Sequence, residues 1–193
     1  MMPRALRGVL AVTGFLLGNA STGHAQSGSP APALATEPAA LWAASWIADP
    51  AAHPTDYGVF HFRKRFTLTA KPDAFVVRVS ADNRYRLFVN GTSVSVGPAR
   101  GDPMHWRYET VDLAPWLRAG ADALAAAVWN FGEWRPVAQM SVRTGFILEG
   151  RSAAEAVVNS DASWRVWHDD AYAPLPVDRE KLTTYRVVAP CVR

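Results

Sequence analysis

Two stretches of this chain gather aromatic, cationic and acidic side chains where glycine and proline punctuate the backbone: GPARGDPMHW, residues 97–106, and WNFGEWRP, residues 129–136. Such punctuation marks loops. A sugar offers an apolar face ringed by hydroxyls, so its recognition takes a flat ring for stacking and planar or charged hydrogen-bonding groups. Arg100, Asp102, Trp106, Glu133, Trp134 and Arg135 supply that combination. Trp129 ends an apolar run and reads as a core anchor, whereas Trp134, flanked by Glu133 and Arg135, reads as exposed. Aromatics with arginine describe the centre of a module–module interface equally well. Arg100-Gly101-Asp102 spells an adhesion tripeptide, but three common loop residues with no support elsewhere do not make that signal.

Other chemistries find less to work with. Glycoside hydrolysis needs two carboxyl groups, roughly 6.5–9.5 Å apart for inversion and roughly 5–5.5 Å for retention. Asp102, Glu109, Glu133 and Glu149 qualify by type, yet nothing in their spacing pairs two of them. The chain has no G-x-S-x-G. His53, His61, His105 and His168 are scattered without the spacing of paired zinc ligands. No catalytic residue is therefore assigned. Asn90-Gly91-Thr92 fits a glycosylation sequon, but the same residues serve as a tight turn.

The elements that must position the two loops are short strands. Residues 58–69 alternate, with Phe60, Phe62, Lys64 and Phe66 on one face and His61, Arg63 and Arg65 on the other. Strand-like runs follow at 74–81, 84–90, 92–97, 106–113, 123–130, 140–150 and 163–167. Tyr85, Leu87 and Val89 share a face and are expected to point inward, with Val128 and Phe146 also buried. Asn90-Gly91 predicts a two-residue hairpin, since both residues tolerate positive φ. ALAAAV, residues 123–128, is alanine-rich but short and preceded by Gly120, so it reads as strand, with one turn of helix at 114–118. Together these runs predict an all-β fold, an antiparallel β-sandwich of jelly-roll type. The hairpin places the 97–106 loop at the opposite end of the sandwich, and the 123–130 strand delivers the 129–136 loop to that same end.

Residues 1–25 read as a secretory signal peptide: Arg4 and Arg7, then the apolar VLAVTGFLLG, then small residues around Gly23 and Ala25. A membrane span needs roughly 20 apolar residues, about twice this run, so the expectation is export to the periplasm or medium without a membrane anchor. Residues 26–41, rich in Pro and Ala, read as a linker, 42–170 as the sandwich and 171–193 as a C-terminal segment. The formal charge of +3 shrinks once Arg4 and Arg7 leave with the signal, and no dense Lys/Arg stripe is visible along the chain. Nucleic acid is accordingly not expected as a partner. The single cysteine, Cys191, can form no internal disulfide, so burial must hold the domain together.

The series ADNRYRLFVNG, VGPARGD, YETVDLAPWLRAGADALAAAVWNFGEW and QMSVRTGFILEG resembles the N-terminal accessory domain of bacterial α-L-rhamnosidases. More broadly it is similar to the galactose-binding-domain-like jelly rolls appended to many glycoside hydrolases. The likeness runs from Trp42 to Trp167 and includes the Asp-Leu-x-x-x-Leu segment that begins at Asp112. It implies a non-catalytic domain that binds a rhamnose-containing glycan or docks onto a catalytic module. In that family an inverting acidic pair sits on a separate (α/α)6 barrel, which this sequence does not include; the 171–193 segment is expected to lead toward it. The resemblance also implies a calcium site built from Asp82, Asn83, Asn130 and the backbone near Pro136, a set of oxygen donors that suits calcium. Read from the residues alone, Asp82-Asn83 is a turn between two strands.

Overall fold

Alternating burial along the chain organises the structure, a computed structural model that describes residues 42–175. The expected signal peptide, the linker, most of the C-terminal segment and Cys191 lie outside the described residues. Among the described residues eight strands form: β1 (Gly58–Leu68), β2 (Val76–Asp82), β3 (Arg84–Val89), β4 (Thr92–Gly97), β5 (Glu109–Asp112), β6 (Gly120–Asn130), β7 (Gly145–Gly150) and β8 (Arg165–His168). They pair into two sheets, a five-stranded one of order β4-β3-β6-β1-β8 and a three-stranded one of order β5-β2-β7. Every strand pairing is antiparallel. This is the two-sheet sandwich expected from the sequence. The alanine-rich run is the central strand β6, and the expected helical turn is a single 3-10 turn at Ala114–Trp116.

The core lies between the inner faces. Tyr85, Leu87, Val89, Val128 and Phe146 are all fully buried, as their alternation required. Phe62 stacks on Phe146 at 5.5 Å between ring centroids, and Tyr85 meets Phe146 edge-on at 6.3 Å. Asn90 and Gly91 both adopt left-handed backbone, φ 50° and 87°, giving the tight hairpin between β3 and β4. The Asn90 side chain is consumed in that turn: its amide donates to the Asp122 carboxylate and the Trp116 carbonyl, and its oxygen accepts the Ala123 N–H.

Trp129 corrects the sequence reading. On β6 the buried positions are Leu124, Ala126, Val128 and Asn130, so Trp129 falls on the outward face and is only half-buried. An odd-numbered position in a period-two strand cannot join its even-numbered neighbours in the core.

Candidate functional site

Strand register brings one set of strand ends together. Asp82 at the end of β2 lies opposite Gly145 at the start of β7, and Arg84 at the start of β3 lies opposite Trp129 near the end of β6. Gly58 at the start of β1 pairs with Asn130, and Gly97 at the end of β4 pairs with Tyr85. Both aromatic loops therefore emerge at the end opposite the Asn90-Gly91 hairpin, as expected.

At the centre of this end is a buried polar node. The Asp82 carboxylate, 2% exposed, accepts hydrogen bonds from the Val142 N–H (2.6 Å), the Arg143 N–H (2.8 Å) and the Ser141 hydroxyl (2.8 Å). The Asn83 amide donates to it at 2.5 Å, and the Asn83 side-chain oxygen accepts the Phe131 N–H at 2.9 Å. Asn130, fully buried, donates to Ser141 and Thr144 and accepts the Gly132 N–H. Two connections that have no partners of their own in the sheets, 131–136 and 139–144, are thus clipped to the strand ends, which gives their backbone N–H groups acceptors. Gly132 is required there: its φ is 57°, and a Cβ would come within 2.5 Å of the Tyr57 backbone nitrogen.

Three of the four residues implied for calcium, Asp82, Asn83 and Asn130, do converge in this node. The fourth, Pro136, gives its carbonyl to the Gln139 N–H at 2.9 Å. The carboxylate and amide oxygens here all accept N–H or O–H donors, so the set as arranged fits a loop clip, and a cation would have to displace those bonds. Among the described residues, moreover, no three His, Cys, Asp or Glu side chains cluster to hold a metal.

Against the node lies a cleft of about 620 Å³, walled by Trp46, Pro103, Trp106, Asp82, Val142 and Arg143. Trp46 is 49% exposed, and its ring meets Trp106 edge-on, 6.4 Å between centroids at 80°. The Trp106 indole Nε1 is buried without a hydrogen-bond partner. The cleft thus offers indole faces, an arginine and a rim of backbone, which suits a small, partly apolar, hydroxylated ligand.

The six candidate residues divide. Trp106 walls this cleft. Glu133 and Arg135 line a separate hollow of about 520 Å³ with Thr55, Asp56, Pro136 and Val137. Arg100 is exposed, and Trp134 is half-buried within the 3-10 turn Gly132–Trp134 rather than exposed; neither walls either hollow. Asp102 caps its own loop: the His105 ring and the N–H groups of Met104 and His105 hydrogen-bond its carboxylate and hold its pKa below the usual range. Arg100, Asp102 and Trp134 therefore share neither of these two hollows.

Sequence reasoning missed Trp46 and Arg143. Trp46 precedes β1 by more than ten residues and reaches the cleft because Ile47 bridges to Phe146 on β7. The sequence pattern puts Arg143 within a strand over 140–150, but β7 begins at Gly145 and residues 139–144 form the clipped loop. The other carboxylates singled out by type hold the fold: Glu109 accepts the Ala99 N–H, and Glu149, 4% exposed, pairs with Arg78 and accepts the N–H groups of Ala43 and Ala44.

No protein-family model matches the sequence, and no curated protein does. Solved structures do. A GH78-family rhamnosidase of Bacillus sp. GL1 matches with 28% identity and a TM-score of 0.62, over 68% of this chain and 14% of its own. An α-L-rhamnosidase of Streptomyces avermitilis, complexed with L-rhamnose, matches with 24% identity and a TM-score of 0.51, over 77% of this chain and 15% of its own. An α-L-rhamnosidase of Dictyoglumus thermophilum matches with 20% identity and a TM-score of 0.51, over 66% and 17%. The latter two bear on the fold alone. This chain is thus similar, over 68% of its length, to a small part of a GH78-family rhamnosidase, as a domain of such an enzyme would be.

Proposed function

We propose that the described domain is a non-catalytic carbohydrate-binding module of an α-L-rhamnosidase-like polypeptide, and that it holds a rhamnose-containing glycan in the cleft between Trp46 and Trp106. The observation that carries this reading is the pairing of two tryptophans with Arg143 in one open cleft at the loop end of a sandwich similar to part of a GH78 rhamnosidase. The deoxy face of rhamnose, bearing its methyl group, would lie on the Trp46 indole. The Arg143 guanidinium would donate to ring hydroxyls, and Asp82 would act indirectly by fixing the backbone that carries Arg143. In this reading hydrolysis belongs to a separate (α/α)6 catalytic module. Export, with a mature chain beginning near Gln26, is part of the same proposal, and mass spectrometry of periplasmic or medium fractions checks it.

Calorimetric titration of L-rhamnose and a rhamnosylated glycan into the wild type, Trp46→Ala and Trp134→Ala tests the cleft. Losing the stacking face should weaken binding about tenfold, roughly 1.4 kcal/mol, whereas Trp134→Ala should bind as the wild type does. Because donors already occupy the node's oxygens, added calcium should leave the affinity unchanged. A wild-type protein that binds no sugar would end the binding reading and leave the loop end as a docking surface for another module.

A further inference from the structure

The outward face of the five-stranded sheet carries side chains that the cleft does not use. Register sets them out in rows. Val96, Arg86, Ala127, His61 and Trp167 lie side by side across all five strands. The next row is Ser93, Phe88, Ala125, Arg63 and Arg165, and beyond it Ala123 pairs with Arg65. Toward the loop end Arg84 pairs with Trp129. The middle of this face is therefore a floor of alanine methyl groups along β6, bordered by the longer side chains of β3 and β1.

Five arginines stand on the face: Arg63, Arg65, Arg86 and Arg165 are exposed, and Arg84 is half-buried with an Nε that finds no partner. The outward strand positions include no acidic residue. Among the described residues none of these five guanidinium groups pairs with a carboxylate; Asp169, which reaches the face, binds His61 Nε2 at 2.9 Å. Aromatic rings accompany the charge. Trp167 is 61% exposed and stacks on His61 at 5.4 Å, while Trp129 and Phe88 are half-buried. No Lys/Arg stripe was visible along the chain because these arginines come from three strands widely separated in sequence, and pairing alone brings them together.

We propose that this face binds an anionic polysaccharide, a run of uronate sugars laid along β6. The alanine floor from Ala123 to Trp129 is about 20 Å long at the rise of a strand, so it accommodates several sugar rings rather than one. Arginine forks on both borders match carboxylates recurring along such a chain, and guanidinium groups bind carboxylates bidentately. The rings of Trp129, Trp167 and Phe88 take apolar sugar faces. A nucleic acid is the less suitable polyanion, because 17 acidic residues nearly offset the chain's 20 Lys and Arg and leave little long-range field. The site is distinct from the tryptophan cleft and does not depend on it.

The test uses the full-length protein and an oligogalacturonide long enough to span β6, compared with its methyl-esterified form and with a single-stranded oligodeoxynucleotide of equal charge. The free acid should bind, the ester should not, and affinity should fall about tenfold between roughly 50 and 200 mM salt. Replacing one arginine on each border, Arg63→Gln with Arg86→Gln, should weaken uronate binding at least tenfold while leaving thermal stability and the affinity for L-rhamnose unchanged. Trp167→Ala should weaken it as well. Equal binding of acid and ester, tighter binding of the oligonucleotide, indifference to the paired arginine substitution, or no uronate binding would each overturn the proposal.

Discussion

Removing the Asp82 carboxylate is the sharpest perturbation of the end that carries the cleft. Asp82→Ala deletes an acceptor for four donors, two of them the backbone N–H groups of Val142 and Arg143. A hydrogen bond to a charged group contributes about 1.5–3 kcal/mol, and a donor left unsatisfied costs about 1–3 kcal/mol. These terms do not add here, because Val142 and Arg143 are exposed residues whose freed N–H groups regain water. A net loss of about 3 kcal/mol follows, which lowers Tm by roughly 9 °C in a domain of this size. Thermal denaturation followed by circular dichroism measures the loss. Hydrogen exchange locates it, with faster exchange expected at Val142 and Arg143 and unchanged exchange in β3 and β6. A Tm shift under about 2 °C with those two amides still protected would show that the carboxylate does not hold the loop.

Two further outcomes follow from burial. Leu87→Ala, at a fully buried position on β3, should cost about 2–5 kcal/mol, and a thermal shift of less than a degree would place that strand's face wrongly. Burial pushes the Tyr85 phenol up to about 12, against a smaller lowering by its hydrogen bond with Ser95. A raised folded-state pKa stabilises fully below the unfolded value near 10 and is lost as pH climbs toward 12, a span of about 2–3 kcal/mol. Melting curves between pH 9 and 12 should therefore fall more steeply for the wild type than for Tyr85→Phe; parallel curves would refute the burial argument.

The sandwich was legible because its signals are local. Period-two alternation placed Tyr85, Leu87 and Val89 inward, and Asn90-Gly91 announced its own turn. The loop end was legible too, since a hairpin fixes which way its strands run. The residues that meet there were harder to read. Trp46 and Trp106 share a cleft through the bridge from Ile47 to Phe146, a long-range pairing with no local mark. Its charged neighbours mark Trp134 as exposed, but it is half-buried within the 3-10 turn Gly132–Trp134. Local sequence offers Asp82-Asn83 only as a turn, and their role in clipping loops some fifty to sixty residues away depends on tertiary contacts. The arginine face was likewise invisible along the chain, because it exists only once β1, β3 and β8 flank or extend the pairing around β6.

The most direct measurement of the central claim is a crystal structure of the protein grown with L-rhamnose or a rhamnosylated glycan. Ordered sugar should occupy the cleft with a ring face against Trp46 or Trp106 and a hydroxyl within hydrogen-bond reach of Arg143. Sugar ordered instead in the hollow lined by Glu133 and Arg135, or an empty cleft at saturating ligand, would contradict it.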